Sequence, residues 1–237
     1  MPQRTPGSQD ANRIFSAGRI TLPAGLVRVL DAALDDALVR RARRAIGRLG
    51  PERLGQSYFT TFWMPRGEPA TNPVEEAVLA LWRLAAPDAR CAGAEWWIGR
   101  SYTNDVPVGF HFDQDVRAAR GLRHPLESSV FFFNRVRGGQ LAVTDQRAGR
   151  RGEPTPAAAG DLQVVSPRPN RYAVFDGGLF HGVLDARGRT PWRKLPGPPG
   201  RLRVTLVVNF WDRRPAGVPR WRDARVYRAL AGGRVRR

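Results

Sequence analysis

The sequence predicts a mainly β-stranded α+β protein with flanking helices that precede most of the strands. From residue 94 onwards, short runs rich in β-branched and aromatic residues are separated by Gly, Pro and Asn, which is typical of strands joined by turns. Before that point, apolar residues recur at helical intervals instead. The predicted strands are AEWWIGRSYT, SSVFFFN, QLAVTD, DLQVVS, RYAVFD and LRVTLVVNFW.

The N-terminal region predicts two amphipathic helices. Residues 22–50 place apolar side chains at helical intervals and charged side chains on the opposite face, and a Gly-Pro pair ends the pattern. The second helix starts near Thr71 or Asn72, because either residue can cap it and Pro73 suits the first turn. Pro87 ends this helix.

The length and composition predict a single domain, because 237 residues with 42% hydrophobic content fit one well-buried core. We expect a helical region over residues 20–90 to pack on a β-stranded core over 94–212. Residues 213–237 are expected to form a basic C-terminal extension. Two stretches rich in Gly, Pro and Arg, residues 146–160 and 186–200, are predicted to be flexible insertions beside strands that carry candidate site residues.

Cysteine usage and hydropathy favour a soluble cytoplasmic protein. Cys91 is the only cysteine, which excludes an internal disulfide and a thiolate metal cluster. No apolar run reaches the length needed to cross a bilayer, and the first residues lack the apolar segment of a signal peptide. We therefore expect no membrane association.

The net charge of +18 is uneven along the chain. Residues 187–237 contain fifteen Lys or Arg residues against only Asp212 and Asp223. Three interpretations are open: a solvated basic tail, a surface for an acidic partner or substrate, and a sequence-specific reader of nucleic acid. The first is favoured, because Lys194 is the only lysine and the arginine usage resembles a coding bias of the whole chain.

The run GFHFDQD, residues 109–115, carries candidate metal ligands. On a strand, His111 and Asp113 point to the same side, while Phe112 turns into the apolar layer. With 21 acidic residues, three histidines give about a one in four chance of an H-x-[DE] pattern, so this run alone decides little. Asp115 lies about 6 to 7 Å further along the strand, and we interpret it as a substrate-side or loop carboxylate.

A second histidine completes a ligand set. In RYAVFDGGLFHGV, a strand ends at Asp176, two glycines permit a tight turn, and the chain resumes with His181. Two histidines and one carboxylate form the facial triad that suits non-haem Fe(II) oxygenases. The third histidine, His124, precedes a proline in a loop and is predicted to be a surface residue.

Several segments together resemble the Fe(II)- and 2-oxoglutarate-dependent dioxygenase superfamily, and most closely its prolyl-hydroxylase-like branch. They are HFD at 111–113, SSVFFFNRVRGGQLAVTD, NRYAVFDGGLFHGV and RLRVTLVVNFW, in the order typical of the family and within residues 94–212. The resemblance implies a double-stranded β-helix, which is a jelly-roll of two facing sheets. It also implies that His111, Asp113 and His181 hold Fe(II), with 2-oxoglutarate and O2 as co-substrates and ascorbate as an optional reductant.

The same family binds the distal carboxylate of 2-oxoglutarate with a cation on a late strand. Arg203 and Thr205 share one face of the predicted strand RLRVTLVVNFW, and the planar guanidinium matches a carboxylate. The spacing from His181 is longer than is typical of the family, which leaves Arg201, and less favourably Lys194, as alternatives. By the resemblance, Tyr102 corresponds to a tyrosine near the co-substrate.

The resemblance implies an oxidoreductase that hydroxylates a peptidyl or small-molecule substrate and releases succinate and CO2. An excess of arginine near the predicted cavity favours an anionic substrate. Two alternatives remain open: a nucleic-acid dealkylating dioxygenase, which the charge favours and the last motif does not, and a jelly-roll protein that binds a metal or ligand without redox chemistry.

Overall fold

The computed structural model describes residues 25–50, 60–106, 109–118, 121–191, 193–196 and 201–232. The strands are β1 (Val27–Leu30), β2 (Phe62–Pro65), β3 (Gly93–Tyr102), β4 (Glu127–Phe132), β5 (Leu141–Ala148), β6 (Pro154–Thr155), β7 (Leu162–Val165), β8 (Arg171–Asp176), β9 (Leu179–Val183) and β10 (Leu202–Trp211). The helices are α1 (Asp36–Gly47) and α2 (Pro73–Ala85), and short 3-10 turns occupy Trp221–Asp223 and Arg228–Ala231.

The strands form two antiparallel sheets. The large sheet has the order β1-β8-β4-β10-β3-β2. In the small sheet, β5 pairs with β7 along one edge, with β9 along the other and with β6 at its end. An isolated antiparallel bridge between His111 and His181 adds the HFD segment beyond β9. Because β8, β9 and β10 alternate between the sheets, the arrangement is the predicted double-stranded β-helix, a jelly-roll. The predicted fold class is confirmed.

The six predicted strands are confirmed as β3, β4, β5, β7, β8 and β10. The sequence prediction missed the four other strands, which have five residues or fewer and give too little alternation to recognise. One of them, β6, lies within residues 146–160, so this stretch is in part a hairpin with β5 and not an irregular insertion.

The prediction of one helix over residues 22–50 is wrong. Residues Val27–Leu30 form β1, which pairs with β8, and Ala32 has a left-handed backbone conformation with φ of 51°. The helix begins only after Asp35, whose side chain accepts hydrogen bonds from the amides of Ala37 and Leu38. The part of the predicted segment before residue 25 lies outside the described residues.

The second helix is confirmed, with Asn72 as its cap and Pro73 in its first turn. The N-terminal region nevertheless supplies both edge strands of the large sheet, β1 and β2. No helix in the described ranges is both long enough and apolar enough to cross a bilayer.

Two apolar layers hold the fold together. One layer lies between the helices and the large sheet, where Leu81 of α2 packs in the same buried cluster as Trp96 and Leu206. The other lies between the two sheets and includes Phe132, Val143 and other residues of both sheets. Burial of about 25 cal/mol per Å² of apolar surface makes these layers the main stabilising contribution.

The described part of the basic C-terminal extension, residues 213–232, folds back onto the domain. Trp221 and Leu230 are buried in the layer beneath the helices. Arg48 of the segment after α1 donates hydrogen bonds to the carbonyl oxygens of Ala229 and Leu230 at 2.9 Å each. The favoured interpretation of this region as a solvated tail is therefore wrong for these residues.

Candidate active site

Backbone pairing brings His111 and His181 together. The amide of His111 donates to the carbonyl of His181 at 2.8 Å, the reverse bond measures 3.0 Å, and the ring centroids lie 4.6 Å apart. Gly182 permits this approach, because a Cβ there would lie 2.5 Å from the ring of Phe110. Glycine after the histidine is thus a steric requirement of the site.

The structure brings the three predicted metal ligands to one point. One ligand atom from each of His111, Asp113 and His181 lies within 4.8 Å of the other two. Nε2 of His111 lies 3.5 Å from Oδ1 of Asp113, and Nε2 of His181 lies 3.5 Å from Oδ2. Two imidazoles and one carboxylate on one side leave further positions of an octahedral ion open.

Hydrogen bonds fix the orientation of both imidazoles. Nδ1 of His111 donates to the carbonyl of Gly109, and Nδ1 of His181 donates to the carbonyl of Leu179, each at 2.9 Å. A carbonyl only accepts, so the proton of each neutral ring lies on Nδ1. Nε2 therefore keeps its lone pair and faces Asp113, which is the arrangement that a metal ligand requires.

Two residues outside the triad support Asp113. The hydroxyl of Ser128 on β4 donates to Oδ2 of Asp113 at 2.7 Å. Nδ1 of His124 donates to the backbone carbonyl of Asp113 at 2.7 Å, and its ring packs edge-on against Phe112 at 5.8 Å. The prediction that His124 is a surface residue is therefore wrong, since it is half-buried and positions the ligand segment.

The surroundings of the triad shift the pKa values of all three candidate ligands. Burial alone would raise the pKa of Asp113, but the two imidazoles and the Ser128 hydroxyl hold that pKa well below its usual range. Burial lowers the pKa of His181. Burial also lowers the pKa of His111, but the hydrogen bond and the charge of Asp113 outweigh it and raise that pKa above its usual value. At neutral pH, Asp113 is ionised and His181 is neutral, as metal coordination requires.

The triad opens into a cavity of about 770 Å³ between the two sheets. Alternate side chains of β10 face this cavity: Arg203, Thr205, Val207, Asn209 and Trp211. Strand register places Asn209 between Ser128 of β4 and Glu95 of β3. The same β10 face therefore runs from the arginine at one end of the cavity to the neighbourhood of the triad at the other.

Arg203 and Thr205 form a buried pair on this face. Arg203 is 6% exposed, its Nη1 donates to the Thr205 hydroxyl at 3.4 Å, and its guanidinium lies 5.2 Å from the centre of the Phe132 ring. Glycines shape the space around both residues. A Cβ at Gly99 would lie 2.5 Å from the Thr205 hydroxyl, and one at Gly139 would lie 2.9 Å from Cδ of Arg203.

The two alternative cations lie elsewhere. Arg201 is exposed, and Lys194 forms an ion pair at the surface with Asp105 at 3.1 Å. Neither residue lines the cavity. The geometry therefore favours Arg203 for any carboxylate bound inside the cavity.

Tyr102 does not reach the cavity, contrary to the expectation from the resemblance. Its side chain is 45% exposed, whereas the preceding residue, Ser101, lines the cavity. Successive strand residues face opposite sides, and most of the β3 residues that line the cavity, from Glu95 to Ser101, alternate with the position of Tyr102. Asp115 lies at the cavity edge as a loop carboxylate, where it accepts hydrogen bonds from the amides of Arg117 and Ala216.

The charges that line the cavity are balanced, in contrast to the whole chain. Among the described lining residues, the basic ones are Arg100, Arg117 and Arg203, and the acidic ones are Glu95, Asp113 and Asp115. The lining therefore gives no support to the expectation of an anionic substrate. The sequence did not predict that Glu95, Ser128 and Asn209 line the cavity, because only strand register shows which polar residues share this surface.

Comparison with known proteins finds similar folds among solved structures only. No protein-family model matches the chain, and no curated protein matches it. A prolyl-4-hydroxylase from Pseudomonas putida is 19% identical, with 79% of this chain and 93% of that chain covered at a TM-score of 0.44. A 2OG-Fe(II) oxygenase family oxidoreductase from Burkholderia pseudomallei is 16% identical, with 82% and 88% covered at 0.48.

A third similar structure is HygX from Streptomyces hygroscopicus with nickel and 2-oxoglutarate bound. It is 14% identical, and 82% of this chain and 84% of that chain are covered at a TM-score of 0.47. At these identities and TM-scores, the likenesses carry no argument about chemistry. The functional conclusion rests on the residues of the cavity.

Proposed function

We propose that the protein is an Fe(II)- and 2-oxoglutarate-dependent dioxygenase that hydroxylates a small-molecule or peptidyl substrate. The observation that carries this proposal is that the histidine and aspartate triad and the buried Arg203–Thr205 pair open into one cavity. A triad alone fits many metals. A triad together with a buried cation fits a metal that shares its site with a dicarboxylate.

The triad fits Fe(II) by the chemistry of its donors. His111, Asp113 and His181 would hold the ion, because the hydrogen bonds of Nδ1 direct both Nε2 atoms toward Asp113 and the carboxylate is ionised. When bound, Fe(II) supplies the oxidation chemistry, in which one atom of O2 enters the substrate and the other enters succinate as CO2 is released. The hydroxyl of Ser128 keeps Asp113 oriented toward the two imidazoles.

Arg203 and Thr205 would bind the distal carboxylate of 2-oxoglutarate. The guanidinium presents paired N–H donors, and the threonine hydroxyl adds a third donor two residues along the same face. Gly99 leaves the space in front of Thr205 open. The burial of Arg203 strengthens the interaction, because water does not screen it there.

Apolar side chains separate the two polar ends of the cavity. Val207 lies between Val130 and Trp97 on neighbouring strands, and all three line the cavity. Such a lining makes the middle of the cavity apolar. A volume of about 770 Å³ lies within the range of small-molecule sites and accommodates a dicarboxylate together with a substrate side chain.

Anaerobic titration tests this proposal. Fe(II) and 2-oxoglutarate should bind together with a visible absorbance change, and O2 should then give succinate. Both signals should disappear in Asp113→Ala and persist in Asp161→Ala, whose side chain lies outside the cavity. Binding of a metal without 2-oxoglutarate would instead indicate a non-redox jelly-roll protein.

A further inference from the structure

The cavity has a second polar end, formed by Glu95 and Asn209. These residues are direct partners across β3 and β10, and both line the cavity. Asn209 is 2% exposed, and within the described part of the chain its Oδ1 atom has no hydrogen-bond partner. A buried acceptor without a partner costs about 1 to 3 kcal/mol, so an unpaired acceptor on a residue that lines the cavity indicates a missing donor.

The carboxylate of Glu95 is also poorly compensated. It accepts a hydrogen bond from Nε1 of Trp211 at 3.1 Å, and no described cation lies within salt-bridge distance of it. Burial raises its pKa to about 7, and the charges of Asp113 and Asp115 add to this effect, whereas hydrogen bonds from Thr61 and Trp211 oppose it. Two neighbouring acceptors thus lack a positive partner.

Strand geometry locates this pair relative to the metal ligands and the arginine. Ser128, Asn209 and Glu95 lie in register on three adjacent strands, so Glu95 lies roughly 10 Å from Ser128, whose hydroxyl contacts Asp113. Arg203 lies six residues from Asn209 along β10, or about 20 Å. The acceptor pair is therefore near the triad and at the opposite end of the cavity from Arg203.

We propose that the substrate carries a protonated amine or guanidinium group, which the Glu95 carboxylate and the Asn209 side-chain oxygen bind together. This inference rests on the proposed function, since it treats the cavity as the substrate site. A cation with several N–H donors satisfies both acceptors at once. The rings of Trp97 and Trp211 also line this part of the cavity and suit the aliphatic stem of such a group.

An anionic substrate does not fit this end of the cavity. Glu95, Asp113 and Asp115 would all repel it, and Arg203 lies at the opposite end of the cavity. Neutral donors such as an amide would satisfy Asn209 but would leave the Glu95 charge unpaired. A basic nitrogen group supplies both a donor for Asn209 and a positive charge for Glu95.

Matched compounds test the proposal. The probes are Nα-acetyl-lysine amide against Nα-acetyl-norleucine amide, and Nα-acetyl-arginine amide against Nα-acetyl-citrulline amide, which differ only in the basic group. Binding to the full chain is followed by the indole N–H signal of Trp211, assigned with Trp211→Phe, because this group donates to Glu95. We expect at least one basic compound to bind about tenfold or more tightly than its neutral partner.

Variants then identify the residues responsible. Glu95→Gln should remove this preference, and Asn209→Leu should weaken binding of the basic compound. Glu127→Gln, at a carboxylate of β4 outside the cavity, should leave the preference unchanged. Equal binding of basic and neutral compounds, no binding of either, or a preference that survives Glu95→Gln would overturn the inference.

Failure of this inference can be distinguished from failure of the proposed function. Loss of joint Fe(II) and 2-oxoglutarate binding with an intact preference for the basic compounds would refute the dioxygenase and leave a cation-binding cavity. Joint binding of metal and 2-oxoglutarate without the preference would refute only the assignment of Glu95 and Asn209.

Discussion

The replacement of Arg203 by methionine tests most directly whether the cavity binds 2-oxoglutarate. Methionine keeps an unbranched stem against Gly139 and Phe132 and removes only the guanidinium. Hydrogen bonds to a charged group contribute about 1.5 to 3 kcal/mol each. Two such bonds in a buried site, discounted because their contributions are not additive, give about 3 kcal/mol. The dissociation constant of 2-oxoglutarate should therefore rise on the order of 100-fold.

The assay is an anaerobic titration of 2-oxoglutarate into the Fe(II)-loaded protein, followed by absorbance. Arg201→Met is the matched control, since that arginine is exposed and lies two residues away, just before β10, and its effect should stay below about twofold. Arg203→Lys should recover part of the affinity, because it restores the charge without the planar geometry. If Arg201→Met weakened binding and Arg203→Met did not, the assignment of Arg203 would be wrong.

Four further predictions follow from the site. Ser128→Ala should weaken Fe(II) binding about 10- to 100-fold in a metal titration, because the hydroxyl orients Asp113, and unchanged affinity would contradict this role. His124→Ala should weaken Fe(II) binding several-fold without abolishing it in the same titration, because the ring holds the backbone of Asp113. Gly99→Ala should reduce 2-oxoglutarate affinity and lower the melting temperature, because a Cβ lies 2.5 Å from the Thr205 hydroxyl. Glu95→Gln should stabilise the protein by up to about 3 kcal/mol at pH 8.5 and by far less at pH 4.5 in urea unfolding.

The sign of the last prediction follows from linkage. Folding raises the pKa of Glu95 from an ordinary value near 4.5 to about 7, so the folded protein holds this proton more tightly than the unfolded chain. The stability that this proton contributes is complete below pH 4.5 and is lost as the pH rises through 7. Glutamine stays neutral across that window. A stability difference between wild type and variant that did not grow with pH would show that the carboxylate is compensated.

Hydrophobic periodicity predicted the strands that are long and alternate clearly. It failed for β1, because Val27 and Leu30, followed by Leu34, are spaced as on a helix although the first two lie on a strand. Local bonds decided the outcome, since the Asp35 side chain caps the helix and fixes its start. Hydrophobic periodicity measures only the spacing of apolar residues. Apolar residues on a four-residue strand and the turn after it can have the same spacing as on one face of a helix.

The triad was predictable because histidine is rare in this chain and the H-x-D spacing points to Asp113, whereas its supports were not predictable. Three histidines leave few combinations, but no local pattern marks Ser128, Glu95 or Asn209. Their roles depend on the register of β4, β10 and β3, which is set by pairing between segments far apart in sequence. Tyr102 was placed at the cavity wrongly for the same reason, because the sequence alone does not show which face of a strand a residue occupies.

The net charge of the chain gave a wrong expectation for the charge of the cavity, because dissolved salt screens charges beyond short distances. At physiological ionic strength, exposed charges separated by more than about 8 Å are largely screened, so a net charge of +18 does not determine the field inside the cavity. That field depends on the few charges in its lining, where an arginine lies at one end and Glu95 lies near the triad at the other. Such an arrangement orients an anionic co-substrate and a basic substrate in opposite directions along β10. The bond to be oxidised would then lie between their binding groups, close to the metal ligands.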